Sequence, residues 1–363
     1  MLTIEDHRRD SAGLRYVYPV VSRRAGGVSV GINLNVNNAC NWACVYCQVE
    51  NLTRGGPPAV DLELFERELA GFLDDALMGD FMVRAVPAED RRLVDVAFSG
   101  NGEPTSAADF PEVLLLVQRV LERHGLAGKL PVRLITNGSL LHRRTVQDGI
   151  RTLGELGGEV WFKLDRGTPA EVEAINGVPM DVQQIRRNLA QCATLARTWV
   201  QTSWFALDGA APDAVARAAY CAQLETVAPG LAGVHLYGLA RPSLQPSAPR
   251  LQRLAADELE NFAAEIRKKN RPPGSRLPVI PVFAPKLISF KRGRRPFQAS
   301  FQAAFLPLPC ADFFSDLYIS GSLVFRYSMT SQSSRVIDAM STPSTCTSRN
   351  SSRTGFGMLR PLS

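Results

Sequence analysis

The chain predicts an α/β fold, an open, partial (β/α)6 barrel built on a parallel sheet. Three observations carry the prediction. Six short apolar, β-branched runs recur within the first 268 residues, a helical pattern follows each, and the stretches just after the runs are rich in Gly, Asn and charged residues. Strand and helix in alternation imply right-handed βαβ units and a parallel sheet. Six such units are too few to close an eight-fold barrel.

In chain order, the strands fall at residues 28–36 (VSVGINLNV), 93–98, 132–136, 159–164, 199–206 and 234–239. The first helix is expected over 62–77, with Asp61 as its N-cap. The second spans 109–124 and opens on Asp109, Pro111 and Glu112, a good helix-start pattern. Helices over 140–156, 182–196, 212–227 and 256–267 complete the alternation. Residues 1–27 precede it as an N-terminal extension, and 28–268 form the core barrel.

After Arg267 the alternation stops. Residues 269–363 carry 13 Lys or Arg, three acids and no Glu, and they are rich in Ser, Arg and Pro. Short apolar pieces at 279–283 and 317–325 sustain no period, so a low-complexity, basic and disordered tail is expected. A shifted reading frame would also produce so abrupt a change, and resequencing around Lys268 separates that from a genuine tail. The net charge of +6 therefore misleads, because residues 1–268 hold 28 bases and 32 acids, a balance of −4. A basic signal for an anionic partner belongs to the tail alone. No run of about 18 uncharged apolar residues exists to span a membrane. The opening MLTIEDHRRD lacks the apolar segment of a secretory signal. The cytoplasm is the expected location.

Three of the seven cysteines crowd into the loop after the first strand, as Cys40, Cys44 and Cys47 in a C-x3-C-x2-C spacing. Clustered thiolates on one loop suit a metal centre better than a disulfide framework. A structural zinc site closes four ligands, whereas this loop offers three and no His follows soon after. Cys192, Cys221, Cys310 and Cys346 are isolated. A [4Fe–4S] cluster on three cysteines leaves one iron open. The alternative is a non-catalytic Cys-metal protein, holding zinc or an electron-transfer cluster.

Reactive groups in parallel barrels collect at the C-terminal ends of the strands. Strand two ends in Ser99-Gly100-Asn101-Gly102-Glu103, where glycines let backbone approach a ligand and a carboxylate can pair with an ammonium. No Lys-Ser/Thr follows, so this is not a phosphate loop. Strand three ends in Asn137-Gly138-Ser139, which also suits a turn. Strand four brings Lys163 and Asp165, two apart on one face and able to pair. Gln201 and Arg241 follow on strands five and six, while His124 and His235 read as packing or surface residues.

With Tyr46 as the aromatic before the last cysteine, the loop resembles that of the radical S-adenosylmethionine (SAM) superfamily. The SGNGEPT segment looks like the superfamily's second motif, with Asn101 in place of the more usual Gly. The resemblance implies a partial (β/α)6 radical SAM barrel with two cofactors, a [4Fe–4S] cluster and SAM. Cys40, Cys44 and Cys47 would ligate the cluster, and the open iron would bind SAM. An electron from the cluster would cleave SAM to methionine and a 5′-deoxyadenosyl radical that abstracts hydrogen from substrate. Tyr46, Gly100, Gly102, Glu103, Asn137, Ser139, Lys163 and Asp165 would line the SAM site. A reducing partner such as flavodoxin or ferredoxin is implied. The order of motifs is similar to a branch typified by wyosine-type tRNA-modifying oxidoreductases, which makes a tRNA nucleoside a candidate substrate. That branch carries further cysteines before the triad, and this chain has no Cys before Cys40.

Overall fold

The computed structural model describes residues 2, 12–22, 26–270 and 277–282. The chain divides between residues 290 and 291, and every described residue lies in the first unit. Most of the tail, including its second apolar piece and Cys310 and Cys346, lies outside the described residues.

Eight strands form the main sheet: β1 (Val17–Ser22), β2 (Gly27–Ile32), β3 (Leu93–Phe98), β4 (Val132–Thr136), β5 (Glu159–Lys163), β6 (Arg197–Ser203), β7 (Gly233–Tyr237) and β8 (Val279–Val282). They lie side by side in chain order. Neighbours from β2 to β8 pair in parallel, and β1 pairs antiparallel with β2. The helices of eight residues or more between them are α1 (Leu62–Leu77), α2 (Phe110–Arg123), α3 (Arg144–Glu155), α4 (Pro169–Asn176), α5 (Val182–Leu195), α6 (Ala214–Glu225) and α7 (Ala256–Lys269).

The two-residue period of the strands divides the sheet into two faces. Val96, Phe98, Leu134, Val160, Phe162, Val200, Val234 and Leu236 are fully buried and join one hydrophobic core with the helices. Each buried side chain of this size contributes about 1.5–3 kcal/mol of transfer free energy. The alternate residues Asp95, Ala97, Arg133, Ile135, Trp161, Lys163 and Gln201 line a cavity on the opposite face. The sheet thus presents an apolar back to its helices and a mixed polar front to the cavity.

The six expected strands and their helices are present; those at 93–98, 132–136 and 62–77 match to the residue, and the others have shifted ends. The first strand stops at Ile32 instead of residue 36, where Asn33 turns its backbone N–H to the Tyr16 carbonyl. Asp61 caps α1 as expected, accepting from the Leu64 N–H at 2.9 Å. Asp109 stands at the N-cap of α2 but its side chain makes no cap hydrogen bond; the carboxylate accepts from the Val60 N–H at 2.8 Å instead.

Strand β1 lies inside the expected N-terminal extension; Pro19 in its run disguises it, and only an edge strand tolerates that residue. Alternation also does not stop at Arg267. Val279–Val282 adds one more parallel strand against β7, again an edge strand with a proline, Pro281. The core therefore reaches past residue 268. Helix α4 was hidden in the stretch after strand four, although its signals are clear. Thr168 accepts from the Glu171 N–H, Pro169 opens the helix, and Gly177 closes it at φ 68°.

Candidate functional site

The cysteine loop leaves β2 and crosses the mouth of the cavity, held there by two distant segments. From the end of α4, the Asn176 and Ile175 carbonyls accept the N–H groups of Ala43 and Val45 at 3.0 and 2.9 Å. Gly177 packs so close to Ala43 that a Cβ would meet its carbonyl oxygen at 2.6 Å. From the other side, Leu244 donates its N–H to the Cys47 carbonyl at 2.9 Å, and the Ser243 hydroxyl donates to the Val45 carbonyl at 2.7 Å.

Cys40, Cys44 and Cys47 are unpaired, partly exposed, and all on the wall of one cavity of about 420 Å3. Donors point at two of the sulfurs: the Trp42 N–H lies 3.4 Å from Cys40 Sγ, and Asn176 Nδ2 lies 3.4 Å from Cys44 Sγ. Burial pushes the Cys40 thiol up to about 11 and the Cys44 thiol up to about 12, against the pull of these hydrogen bonds and, for Cys44, of Lys163. Without a cation the thiols stay protonated; a bound metal reverses that balance. Among the described residues, no three His, Cys, Asp or Glu side chains gather as they would around a single ion. Thiolates on separate corners of a polynuclear cluster stand wider apart than the ligands of one ion. The donor set and its sulfur-directed N–H groups fit an iron–sulfur cluster.

Beside the cysteines, Glu103 is 2% exposed. Its Oε1 accepts from Thr105 N–H at 3.1 Å and from the hydroxyls of Thr105 and Thr136 at 2.6 Å. Among the described residues its Oε2 accepts from the Asn137 N–H alone, at 2.6 Å, which leaves that oxygen capacity for another donor. Burial holds the carboxyl above its ordinary range despite these hydrogen bonds. Among the described residues no Lys, Arg or His pairs with it. The glycines beside it serve the protein's own packing: a Cβ on Gly100 would meet Asn33 Oδ1 at 2.4 Å, and one on Gly102 would meet the Ala39 carbonyl at 2.2 Å.

The structure brings Tyr46, Gly100, Gly102, Glu103, Asn137 and Lys163 to the cavity wall with the three cysteines, and Gln201 and Arg241 as well. It does not bring Ser139 or Asp165 there. Ser139 braces the loop from behind: its hydroxyl donates to Asn137 Oδ1 at 2.7 Å and accepts from Asn41 Nδ2 at 2.8 Å. Asp165 lies past the end of β5, where the two-residue period lapses, and it forms no ion pair with Lys163. Instead it accepts from the Tyr46 hydroxyl at 2.5 Å, Asn176 Nδ2 at 2.8 Å and the Ser203 N–H at 2.7 Å. Tyr46 is thereby fixed, with Phe205 edge-on at 5.7 Å and Lys163 Nζ 4.9 Å from its ring centre. His235 packs as expected, stacked on Trp199 at 4.5 Å.

Sequence reasoning missed the inner part of the cavity. Asp95 and Arg133 lie inside the sheet and reach each other, and the Ser29 hydroxyl donates to the same Asp95 carboxylate. Arg133 Nε also meets Glu159 at 3.3 Å. The signal was available: an Asp within LVDVAF and an Arg within VRLIT are costly on a strand unless they face each other or a polar space.

No family model matches the chain. It is 28% identical over 137 residues to the GTPase Obg of Brachyspira hyodysenteriae, a match that spans 36% of this chain and 17% of that protein. The chain thus spans about a sixth of the curated relative's length. Among solved structures, TYW1 with a lysine–pyruvate adduct bound matches at a TM-score of 0.48 and 17% identity, over 66% of this chain and 73% of that one. A radical SAM methyltransferase from Sphaerobacter thermophilus matches at 0.48 and 14% identity, over 74% and 69% respectively. At these scores and identities the likeness assigns neither a residue role nor a substrate.

Proposed function

We propose that this chain is a radical SAM enzyme with a [4Fe–4S] cluster on Cys40, Cys44 and Cys47. One observation carries the reading: three thiols share a cavity wall with a buried carboxylate, Glu103, that has no cationic partner among the described residues. When bound, the cluster supplies the electron that cleaves SAM to methionine and a carbon radical able to abstract hydrogen.

The protein's own groups have separable parts in this scheme. Trp42 N–H and Asn176 Nδ2 stabilise charge on the Cys40 and Cys44 sulfurs. Glu103 Oε2 accepts from the methionine ammonium of SAM, which supplies the missing countercharge. Lys163, with no carboxylate partner among the described residues, attracts the carboxylate. Tyr46, held by Asp165 and Phe205, forms the wall against which the adenine rests.

Anaerobic reconstitution tests the reading. About four irons per chain are expected, with methionine and 5′-deoxyadenosine formed once SAM and a reductant are present. The motif order further supports the wyosine-type branch and a tRNA nucleoside as hydrogen donor, while the charge balance of −4 over residues 1–268 weighs against RNA. Comparing the tRNA nucleosides of a deletion strain with its parent decides that point. The electron donor, in the same reading, is a flavodoxin or ferredoxin in the cytoplasm. No helix among the described residues is long and apolar enough to cross a membrane.

A further inference from the structure

Away from the cysteines, the same cavity ends in groups that the proposed cofactors do not use. Arg133 lies on its wall with Nη1 on Asp95 and Nε on Glu159, and Nη2 has no acceptor among the described residues. Asp95 and Glu159 balance this guanidinium together with that of Arg197, which meets Glu159 at 2.6 Å, so the cluster offers hydrogen-bond donors without net positive charge. Gln201 lines the cavity too, with its Oε1 buried and without a hydrogen-bond partner. A buried acceptor left unmatched is costly, so a ligand N–H that reaches it is favoured. Ile135 gives the wall between them an apolar surface, and the Arg133 guanidinium rests over the buried Trp161 ring, 5.3 Å from its centre.

We infer that the inner end of the cavity recognises a neutral, planar amide or lactam group of the substrate. Arg133 donates to its carbonyl oxygen, Gln201 accepts from its N–H, and the ring or flat body lies against Ile135. A carboxylate gains no net attraction there, because Asp95 and Glu159 balance the charges of Arg133 and of Arg197, which meets Glu159 at 2.6 Å. The inference rests on the radical SAM reading only in calling this ligand the substrate.

The test uses the full chain, with iron content and SAM affinity read on the same preparations. Binding is measured for carbostyril (a neutral lactam), N-methylcarbostyril (the same ring without the N–H) and quinaldate (an anion of similar shape). Carbostyril is expected to bind about fivefold tighter than its N-methyl derivative, the size of one net hydrogen bond, and quinaldate weakest. In Gln201→Met the fivefold preference vanishes while the melting temperature holds, since that side chain's Oε1 has no protein partner to lose. Equal affinities, a preference that survives in Gln201→Met, tight quinaldate binding, or no saturable binding overturns the inference. Iron-free protein with the expected lactam pattern contradicts the radical SAM reading alone; loaded protein without that pattern contradicts this inference alone.

Discussion

At the scale of single residues, the cavity wall brings three unpaired thiols together with a buried carboxylate that has no cationic partner among the described residues. Cys44 illustrates the metal side. Replacing it by Ala should leave a folded barrel, because the loop sits at the mouth and outside the core, but iron content should fall to near zero. A variant that still holds about four irons removes Cys44 from the ligand set. Glu103 is more entangled than its place in a glycine-rich turn suggested, since four donors from β4 and its own turn converge on it. Glu103→Ala strands those donors and should lower the melting temperature as well as SAM affinity. Glu103→Gln keeps the volume, and should weaken SAM binding by about 1.5–3 kcal/mol with a smaller loss of stability. Unchanged SAM affinity in both variants rules Glu103 out as the ammonium's partner.

The thiols also set a pH dependence. Burial raises Cys40 from 9.0 to about 11, and Cys44 and Cys192 to about 12. A raised value means the fold favours the neutral, protonated thiol. That stabilisation is complete below the unfolded thiol's pKa and is lost as pH climbs from about 9 through 11 to 12. Metal-free protein should therefore lose resistance to urea over this window. Cluster loading, which expels the thiol protons, should improve as pH rises toward it. A flat urea midpoint between pH 8 and pH 11, in steps of about one unit, contradicts the burial of these thiols.

At the scale of elements, the sequence disclosed what has a strong period and hid what depends on company. The interior strands β3 and β4 were legible to the residue because β-branched runs bounded by loops have one solution. Edge strands β1 and β8 were not, since each contains a proline and relies on one neighbour for its pairing. Site residues followed the same division. The cysteine triad and Glu103 are local motifs, readable from spacing. The partners of Asp165, by contrast, come from the cysteine loop, α4 and β6, and no local pattern announces such a meeting. Helix α4 matters most here, because its last turn both carries the loop and donates to Cys44. Asn176→Ala should leave the helices formed, as circular dichroism would register, yet release Cys44 and slow or lower iron loading several-fold. Loading at the parental rate and yield would remove α4 from any part in presenting the cysteines.

At the scale of the whole molecule, a sheet with an apolar back and a polar front explains why one cavity gathers residues from β1 to β8. It also moves the boundary at which the chain can be cut. Truncation after Lys268 removes β8, exposes the β7 edge and takes away Leu277 and Val279, which belong to the core. It should give an aggregating or poorly loaded protein. Truncation after Val282 keeps every described strand and should load iron as the full chain does; equal behaviour of the two would make β8 dispensable.

The most direct measurement is an anaerobic assay of the reconstituted full chain with SAM and dithionite, iron counted in the same sample. The account predicts about four irons per chain, with methionine and 5′-deoxyadenosine in equal amounts, both lost together in Cys44→Ala. A protein that holds a single zinc, or that holds the cluster and leaves SAM intact, contradicts it.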